Sequence, residues 1–599
     1  MKKSTLAIAL SLAGLVLGGC NDATNSSSAS ANAKPQVEAS GTQTAQAQDF
    51  ATFSGQFIEN LWQVAPTWAL YSGYHKYDGI LDVADEAQRA KTLAFVNTQR
   101  EMLQAFDTTK LSTSELIDYR LIENLLNSVE WEQTRFRAWQ WDPSGYNVAG
   151  GFAQIINEEF APLDERLRSV VSRLENVPAY YEAARKNIDN PTLEHTELAL
   201  LQNQGAFSVF NDELVAKVEG SGLTDAEKTL FKQRFDAAIA AINEHITWLE
   251  TLSNNLKANG ARDFRIGEAL YEEKFALDIQ SGMTAKALYD KASADMIRVH
   301  AEMARITKEI WGKYFTEAMP DDSKVATRML IDKLSAKHVK REDFVDEVRA
   351  QIPELVKFVN DKQLITLDPN KPLVVRETPE YMRGYAGASI SAPGPYDKGG
   401  NTYYNVTPLD GMSDESAESY LREYNHWILQ VLNIHEAIPG HYTQLVYSNE
   451  SPSLIKSLFG NGAMVEGWAV YTERMMLEEG YGNFEPEMWL MYYKWNLRVI
   501  ANTILDYSIQ VKGMTQEEAM QLMTEEAFQQ EAEAAGKWRR ATLSQVQLTS
   551  YYAGYREIYD FREELKAKAP ESFDLKAFHE RFLSFGSAPV KYIRELMVN

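Results

Sequence analysis

The longest pattern in this 599-residue chain is a helical one, which runs from residue 50 to about residue 363. Apolar residues recur at spacings of three and four, charged faces lie between them, and prolines are few. Clear examples cover residues 116–131, 163–188, 225–256 and 284–310. Thr224 and Glu227 form a capping pair at the start of the third. We therefore predict long antiparallel helices joined by short loops. A helical-repeat array is the less favoured alternative, because no fixed period is seen.

A different sequence pattern occupies residues 368–410. Three short runs of β-type residues, 373–376, 387–391 and 402–406, are separated by Gly and Pro. Helical patterns then resume and continue almost to the end of the chain. The sequence predicts a mainly α protein with a small β-sheet, divided into a helical part at 50–363 and a sheet-containing part at 364–599.

The one cysteine of the chain, Cys20, ends a segment that is typical of a secreted bacterial lipoprotein. A short basic start is followed by an apolar run over residues 6–17 and by Leu-Gly-Gly-Cys at 17–20. We predict a signal peptide at 1–19, lipidation of Cys20, and a polar flexible linker at 20–49. The protein is then tethered by lipid to a bacterial membrane, on the periplasmic or surface side of the cell envelope. An ordinary signal peptide with a free thiol is the alternative.

Charge and cysteine content exclude other classes. The chain carries 84 acidic and 60 basic side chains, a formal net charge of −24, and no Lys/Arg cluster that could supply a basic patch. Nucleic acid is therefore not an expected partner. A lone cysteine forbids an intrachain disulfide and a Cys-ligated zinc site. Any zinc must be bound by His and carboxylate groups.

The segment 435–441 carries the strongest chemical signal, His-Glu-Ala-Ile-Pro-Gly-His. Neutral imidazoles are good zinc ligands, so His435 and His441 are candidate ligands. A neighbouring carboxylate takes a proton from water whose pKa the metal lowers to about 7, which is the role predicted for Glu436. The segment lies in a helix that we expect to begin near Ser413. Capping or core histidines are the alternative.

The spacing of the two histidines predicts a break in that helix. Positions six apart on a regular α-helix point about 120° away from each other, so both rings could not reach one ion. Pro439 removes an intrahelical hydrogen bond and Gly440 tolerates unusual dihedral angles. A break at this pair would return His441 to the side of His435.

Two glutamates seven residues apart, Glu466 and Glu473, supply a candidate third ligand. They share one face of an otherwise apolar helical segment, where carboxylates are costly unless they are paired or bound to metal. We assign Glu466 to the metal. Glu473 is expected to hydrogen-bond a ligand or a nearby Arg.

Several of these segments resemble the bacterial family known as domain of unknown function 885. The matching segments are 435–441 with Gln444, Glu-Gly-Trp-Ala-x-Tyr-x-Glu at 466–473, 513–519 and 547–554, with weaker matches at 71–73 and 173–178. The family usually has Pro-Gly before Gln547, where this chain has Gln545-Val546. It often has Arg and His around Asp506, which is flanked here by Asn502 and Gln510.

This resemblance implies a gluzincin-like fold, related to helical zinc peptidases, with a zincin-type active-site helix and a deep cleft. It implies that His435, His441 and Glu466 hold Zn²⁺ and that Glu436 is the general base. Tyr551 would donate to the oxyanion, although helix packing is an equally weighted role for this tyrosine. The strand containing Gly387, Ala388 and Ser389 would be the edge along which substrate lies.

The leading functional prediction is zinc-dependent hydrolysis of short peptides in the cell envelope. Two alternatives stay open. The same metal site would serve a hydrolase of a non-peptide ester or amide, and a non-catalytic lipoprotein would use the cleft to bind peptides or an envelope partner.

Overall fold

A computed structural model describes residues 49–371, 373–378, 387–392, 395–396, 402–451 and 453–598. The described chain is mainly helical and contains one three-stranded sheet, which confirms the predicted fold class. None of its helices is both long enough and apolar enough to cross a membrane. Cys20, the signal peptide and nearly all of the linker lie outside the described residues, so they stay predictions.

The helices of the first part are α1 Phe50–Val64, α2 Pro66–Tyr71, α3 Glu86–Gln104, α4 Thr113–Trp131, α5 Ala138–Trp141, α6 Ala149–Asn157, α7 Leu163–Leu174, α8 Val177–Asn187, α9 Leu193–Gly205, α10 Asp212–Glu219, α11 Asp225–Asn259, α12 Gly267–Asp278, α13 Ala285–Tyr314, α14 Ser323–Ser335 and α15 Phe344–Asp361. Those that follow the sheet are α16 Asp414–Glu423, α17 Ile428–Glu436, α18 His441–Asn449, α19 Leu454–Leu458, α20 Gly462–Glu478, α21 Pro486–Gln510, α22 Gln516–Gln521, α23 Glu531–Leu543, α24 Ser550–Lys568, α25 Leu575–Leu583 and α26 Val590–Val598.

Local signals account for the helix boundaries. The predicted cap at Thr224 is confirmed, because its side chain and that of Glu227 form a reciprocal capping box at the start of α11. The single helix predicted over 163–188 was wrong, since α7 ends at Leu174 and α8 begins at Val177. Pro178 explains the division, because proline fits the first turn of a helix but not its interior.

The strands β1 Leu373–Glu377, β2 Ala388–Ser391 and β3 Thr402–Val406 form a sheet in the order β1-β3-β2. β3 pairs in parallel with β1 and antiparallel with β2. Among the described residues β2 is therefore an edge strand, and Gly387 immediately precedes it. Ala388 and Ser389 lie within it, opposite Val406 and Asn405.

A main hydrophobic core contains buried side chains from Phe50 to Ile593, so both predicted parts of the chain contribute to it. Within this core, α20 and α24 cross in close contact at two glycines. A Cβ at Gly467 would lie 2.2 Å from the carbonyl carbon of Gly554, and a Cβ at Gly554 would lie 1.7 Å from the carbonyl oxygen of Ala463. This backbone approach brings the start of α24 next to Glu466.

Candidate metal centre

The helix that carries His435 is shorter than predicted. It begins at Ile428 rather than near Ser413, because α16 ends at Glu423 and a turn follows. In that turn the side chain of Asn425 accepts hydrogen bonds from the backbone N–H groups of Trp427 and Ile428. Asn425 therefore orders the turn that precedes a new helix, a signal that the periodicity of apolar residues does not reveal.

The break between the two histidines is present. α17 ends at Glu436, α18 begins at His441, and the intervening chain folds back against the end of α17. The N–H of Gly440 donates to the carbonyl of Ile434 at 3.0 Å. A Cβ at Gly440 would lie 1.9 Å from the carbonyl oxygen of His435, so only glycine fits there.

Because of this fold-back, His435, His441 and Glu466 come together. Each offers one ligand atom, and these atoms lie within 4.8 Å of one another. The Glu466 Oε2 is 3.4 Å from His441 Nε2 and 3.8 Å from His435 Nε2. Two ligands bound about 2.0–2.1 Å from a tetrahedral zinc ion lie about 3.3 Å apart, so the donor set fits zinc in type, and the separation of His441 and Glu466 is close to that distance.

Glu473 contacts the Nδ1 side of the His435 ring. Its Oε1 lies 2.7 Å from His435 Nδ1 and also accepts a hydrogen bond from Trp495 Nε1 at 3.1 Å. The Glu473 side chain is fully buried. With Nδ1 held as the donor, the His435 Nε2 is left facing Glu466, as metal-binding histidines require. The sequence had not indicated Trp495.

Two carboxylates of the site have opposite pKa shifts. Burial raises the pKa of Glu436, and the charges of the two histidines oppose that only in part. Burial also acts on Glu466, but the hydrogen bond and charge of His441, with the charge of His435, lower its pKa. A general base and an ionised metal ligand need different pKa values, so these opposite shifts agree with the roles predicted for Glu436 and Glu466.

Carboxylates of the site also raise the pKa of the His435 imidazole. Burial would lower its pKa, but the hydrogen bond and charge of Glu473, with the charges of Glu436 and Glu466, raise that pKa to about 9. The site keeps contact with solvent, since the side chains of His441 and Glu466 are 13% and 26% exposed. Glu436 is half-buried.

The sheet lies directly against this centre. On β3, Tyr404 donates a 2.8 Å hydrogen bond to Asn433 of α17, and Asn433 donates to Gln351 of α15 at 2.7 Å. Asn433 is fully buried two residues before His435. β2 also contacts α17. The edge strand predicted to bind substrate is thus adjacent to the helix that carries His435.

Tyr551 lies in the first turn of α24, near the third ligand. The charge of Glu466 raises its pKa and burial adds to that, whereas the nearby Arg540 guanidinium opposes both. The side chain is half-buried. Tyr551 is therefore placed where it could donate a hydrogen bond at the site. Packing of α24 leaves part of its side chain exposed.

The segment that leads into α24 is fastened by Asp506 of α21. The Asp506 carboxylate accepts hydrogen bonds from the N–H groups of Val546 at 3.2 Å and Leu548 at 3.0 Å. Val546 has a φ of 70°, a region where a β-branched side chain is strained and glycine is favoured. In the family that this chain resembles, the position of Val546 is usually Gly.

Sequence reasoning missed Arg540 and Lys537, one turn apart on α23. Arg540 lies close enough for its charge to lower the pKa of Glu466. Its guanidinium donates to Gln547 at 2.6 Å. The available signal was a local one, since Lys537, Arg539 and Arg540 form a basic group within a strongly acidic chain.

Comparisons with known proteins agree with this fold. A family model described as "Bacterial protein of unknown function (DUF885)" matches residues 66–597. The solved structure of a candidate lipoprotein of unknown function from Shewanella oneidensis is 73% identical, with a TM-score of 0.88; the match covers 92% of this chain and all of that one. A candidate lipoprotein from Colwellia psychrerythraea, 16% identical, has a TM-score of 0.73 over 92% of this chain and 98% of its own, and shows the shared fold alone. No curated protein matches. The chain therefore belongs to the DUF885 family of bacterial proteins of unknown function.

Proposed function

We propose that this protein is a zinc metallopeptidase, gluzincin-like in its ligand set, that hydrolyses short peptides in the cell envelope. The observation that carries the proposal is the convergence of His435, His441 and Glu466, with ligand atoms within 4.8 Å of one another. Two histidines, one glutamate and an open fourth position are typical of catalytic zinc. Zinc bound there supplies a Lewis acid, which polarises a carbonyl and lowers the pKa of water to about 7.

The protein's own groups have distinct roles in this proposal. Glu436, adjacent to the first ligand and raised in pKa, accepts the proton of the attacking water and passes it to the leaving amine. Tyr551 donates a hydrogen bond to the oxygen of the attacked carbonyl as its negative charge develops. Glu473 fixes the orientation of His435 and does not touch substrate.

The edge strand favours peptides over other substrates. An extended peptide can add to a sheet edge through its backbone groups, and β2 provides such an edge beside α17. Gly387, Ala388 and Ser389 are small residues that are only partly buried, which suits such an edge. A non-peptide ester or amide would gain nothing from this edge.

The location follows from the N-terminal sequence. We propose that Cys20 is lipidated and that the polar linker holds the folded body at a membrane surface. The two structural relatives are candidate lipoproteins, in keeping with this assignment. Palmitate labelling of cells that produce the wild type and Cys20→Ala checks it, with label expected only on the wild type.

Metal content and turnover test the catalytic proposal. Purified protein is loaded with zinc, dialysed, and assayed by mass spectrometry for metal and with a mixture of short peptides for hydrolysis. We expect one zinc ion per chain. Glu436→Gln should retain it while kcat falls by about 10²–10⁴-fold, because general-base catalysis is lost. Tyr551→Phe should also retain zinc and lower kcat.

Three results discriminate the alternatives. Zinc binding with unchanged turnover in Glu436→Gln would overturn the base assignment. Zinc-dependent turnover of esters or amides but of no peptide would favour the non-peptide hydrolase. Absence of metal in the loaded wild type, with no effect of His435→Ala on peptide binding, would favour a non-catalytic lipoprotein.

A further inference from the structure

Two partly buried cations on α23 form no ion pair among the described residues, unlike buried cations such as Lys456 and Arg562. Lys456 pairs with Asp118 at 2.6 Å, and Arg562 pairs with Glu478 at 2.7 Å. By contrast, Arg540 donates a hydrogen bond of 2.6 Å to the neutral Gln547, and its buried Nε has no partner among the described residues. A buried donor without a partner costs about 1–3 kcal/mol, so a ligand that accepts a hydrogen bond from this Nε would be stabilised.

Lys537, one turn before Arg540 on α23, is the second of these cations. The two carboxylates that attract it are already engaged by other groups. Glu423 is 2.5 Å from Lys494 and 3.3 Å from Arg498. Glu533 pairs with Arg498 as well. Lys494, Arg498 and Lys537 thus share two carboxylates, and Arg540 adds a further positive charge next to Lys537.

The lowered pKa of Lys537 agrees with an excess of positive charge around it. Burial lowers its pKa, and the charges of Arg498 and Arg540 lower it further, to about 7, against the attraction of Glu533. An anion bound between Lys537 and Arg540 would relieve this repulsion. It would also satisfy the buried Nε donor.

We propose that Arg540 and Lys537 form a subsite that binds a carboxylate of the peptide substrate. The inference rests on the proposed function and names the substrate class, a short peptide with a carboxylate near the scissile bond. Arg540 is suited to bind a carboxylate through two hydrogen bonds, with Lys537 as a second charge. The carboxylate comes either from the peptide C-terminus or from an acidic side chain.

Arg540 also lies near groups that act on the reacting bond. Its charge influences both Glu466 and Tyr551. A carboxylate held by Arg540 would therefore place the adjoining peptide bond close to Tyr551. Arg540 and Lys537 would therefore determine which peptides bind, and they would not act on the reacting bond themselves.

Binding of matched peptides tests the subsite without turnover. In the Glu436→Gln background, calorimetry compares trialanine as the free acid with its amide, and Ala-Ala-Glu-amide with Ala-Ala-Gln-amide. Each pair is measured with zinc-loaded and with metal-free protein, because a carboxylate can also bind zinc directly. We expect a preference for the charged member of one pair of about 10- to 100-fold in both forms. The pair that shows it identifies the carboxylate.

Variants then assign the preference to these residues. Arg540→Gln with Lys537→Gln should remove it, Arg540→Lys should restore part of it, and Arg305→Gln, at an exposed arginine of α13, should leave it unchanged. Thermal unfolding shows that each variant folds. No preference in the parent protein, or an undiminished one in the double variant, would overturn the subsite.

These outcomes are separable from those of the proposed function. A protein that prefers the carboxylate peptides but hydrolyses none retains the subsite and refutes the peptidase. A protein that hydrolyses acid and amide peptides equally, without a preference in binding, retains the peptidase and refutes the subsite.

Discussion

At the scale of single residues, the proposed metal centre depends on contacts between residues that are far apart in the sequence. His435 and Glu473 are 38 positions apart, yet their side chains meet at 2.7 Å. The sequence predicted that His435, His441 and Glu466 would come together, and the structure places their ligand atoms within 4.8 Å of one another. Trp495 and Arg540 could not, because nothing in their own segments indicates which helix they face.

Glu473→Gln should weaken zinc binding by about 10- to 100-fold, since a neutral amide makes His435 a poorer ligand. Glutamine can still accept the hydrogen bonds from His435 and Trp495, so the fold should persist. Competition with a chromophoric chelator measures the affinity. Glu479→Gln, at the partly exposed end of the same helix, is the matched control, and an equal loss in both variants would contradict the role given to Glu473.

Gly440→Ala should destabilise the protein by about 3 kcal/mol or more and abolish zinc binding. The added methyl would overlap the carbonyl oxygen of His435 and push His441 away from its position. Urea unfolding and metal analysis measure the two effects. Gly55→Ala, at an exposed helical glycine with open space around it, should be neutral or stabilising. A normal metal content in Gly440→Ala would refute this account of the break.

At the scale of elements, periodicity and turn residues allowed most of the fold to be predicted. The three short runs of β-type residues became β1, β2 and β3 with bounds shifted by one residue at most. The failures have local causes. Pro178 lies in the first turn of a new helix within 163–188, and Asn425 orders the turn before a helix that periodicity had joined to its predecessor. Such local hydrogen bonds and proline positions compete with a continuous helix and outweigh apolar spacing.

Asp506 fastens the segment before α24, and its titration should be visible in stability. Burial raises its pKa from 3.8 to about 7, against the hydrogen bonds from Val546 and Leu548. The folded protein therefore binds this proton more tightly than the unfolded chain. The resulting stabilisation is complete below about pH 4 and is lost as pH rises through about 7.

Asp506→Asn should accordingly lower the free energy of unfolding by more at pH 5 than at pH 8. The amide also places an N–H group against a backbone N–H, so a loss of about 1–3 kcal/mol should remain at pH 8. Urea unfolding of both proteins at several pH values measures the difference. A destabilisation that grows between pH 5 and pH 8 would contradict the raised pKa.

At the scale of the whole molecule, the centre joins α17, α18 and α20, with α21, α23 and α24 around it, and these belong to one main core or pack on it. A ligand that binds only the folded state stabilises the whole chain. Removing zinc with a chelator should therefore lower Tm by a few degrees, and restoring zinc should reverse the change. Glu466→Gln should show a much smaller shift. An equal shift in that variant would place the stabilising metal elsewhere.

The most direct measurement is a crystal structure of the zinc-loaded protein with anomalous data at the zinc edge. We expect one strong peak with His435 Nε2, His441 Nε2 and a Glu466 carboxylate oxygen within about 2.0–2.2 Å of it. Glu473 should remain bonded to His435 Nδ1, and Glu436 should face the open fourth position. A peak bound by other residues, or no peak at this centre, would contradict the account.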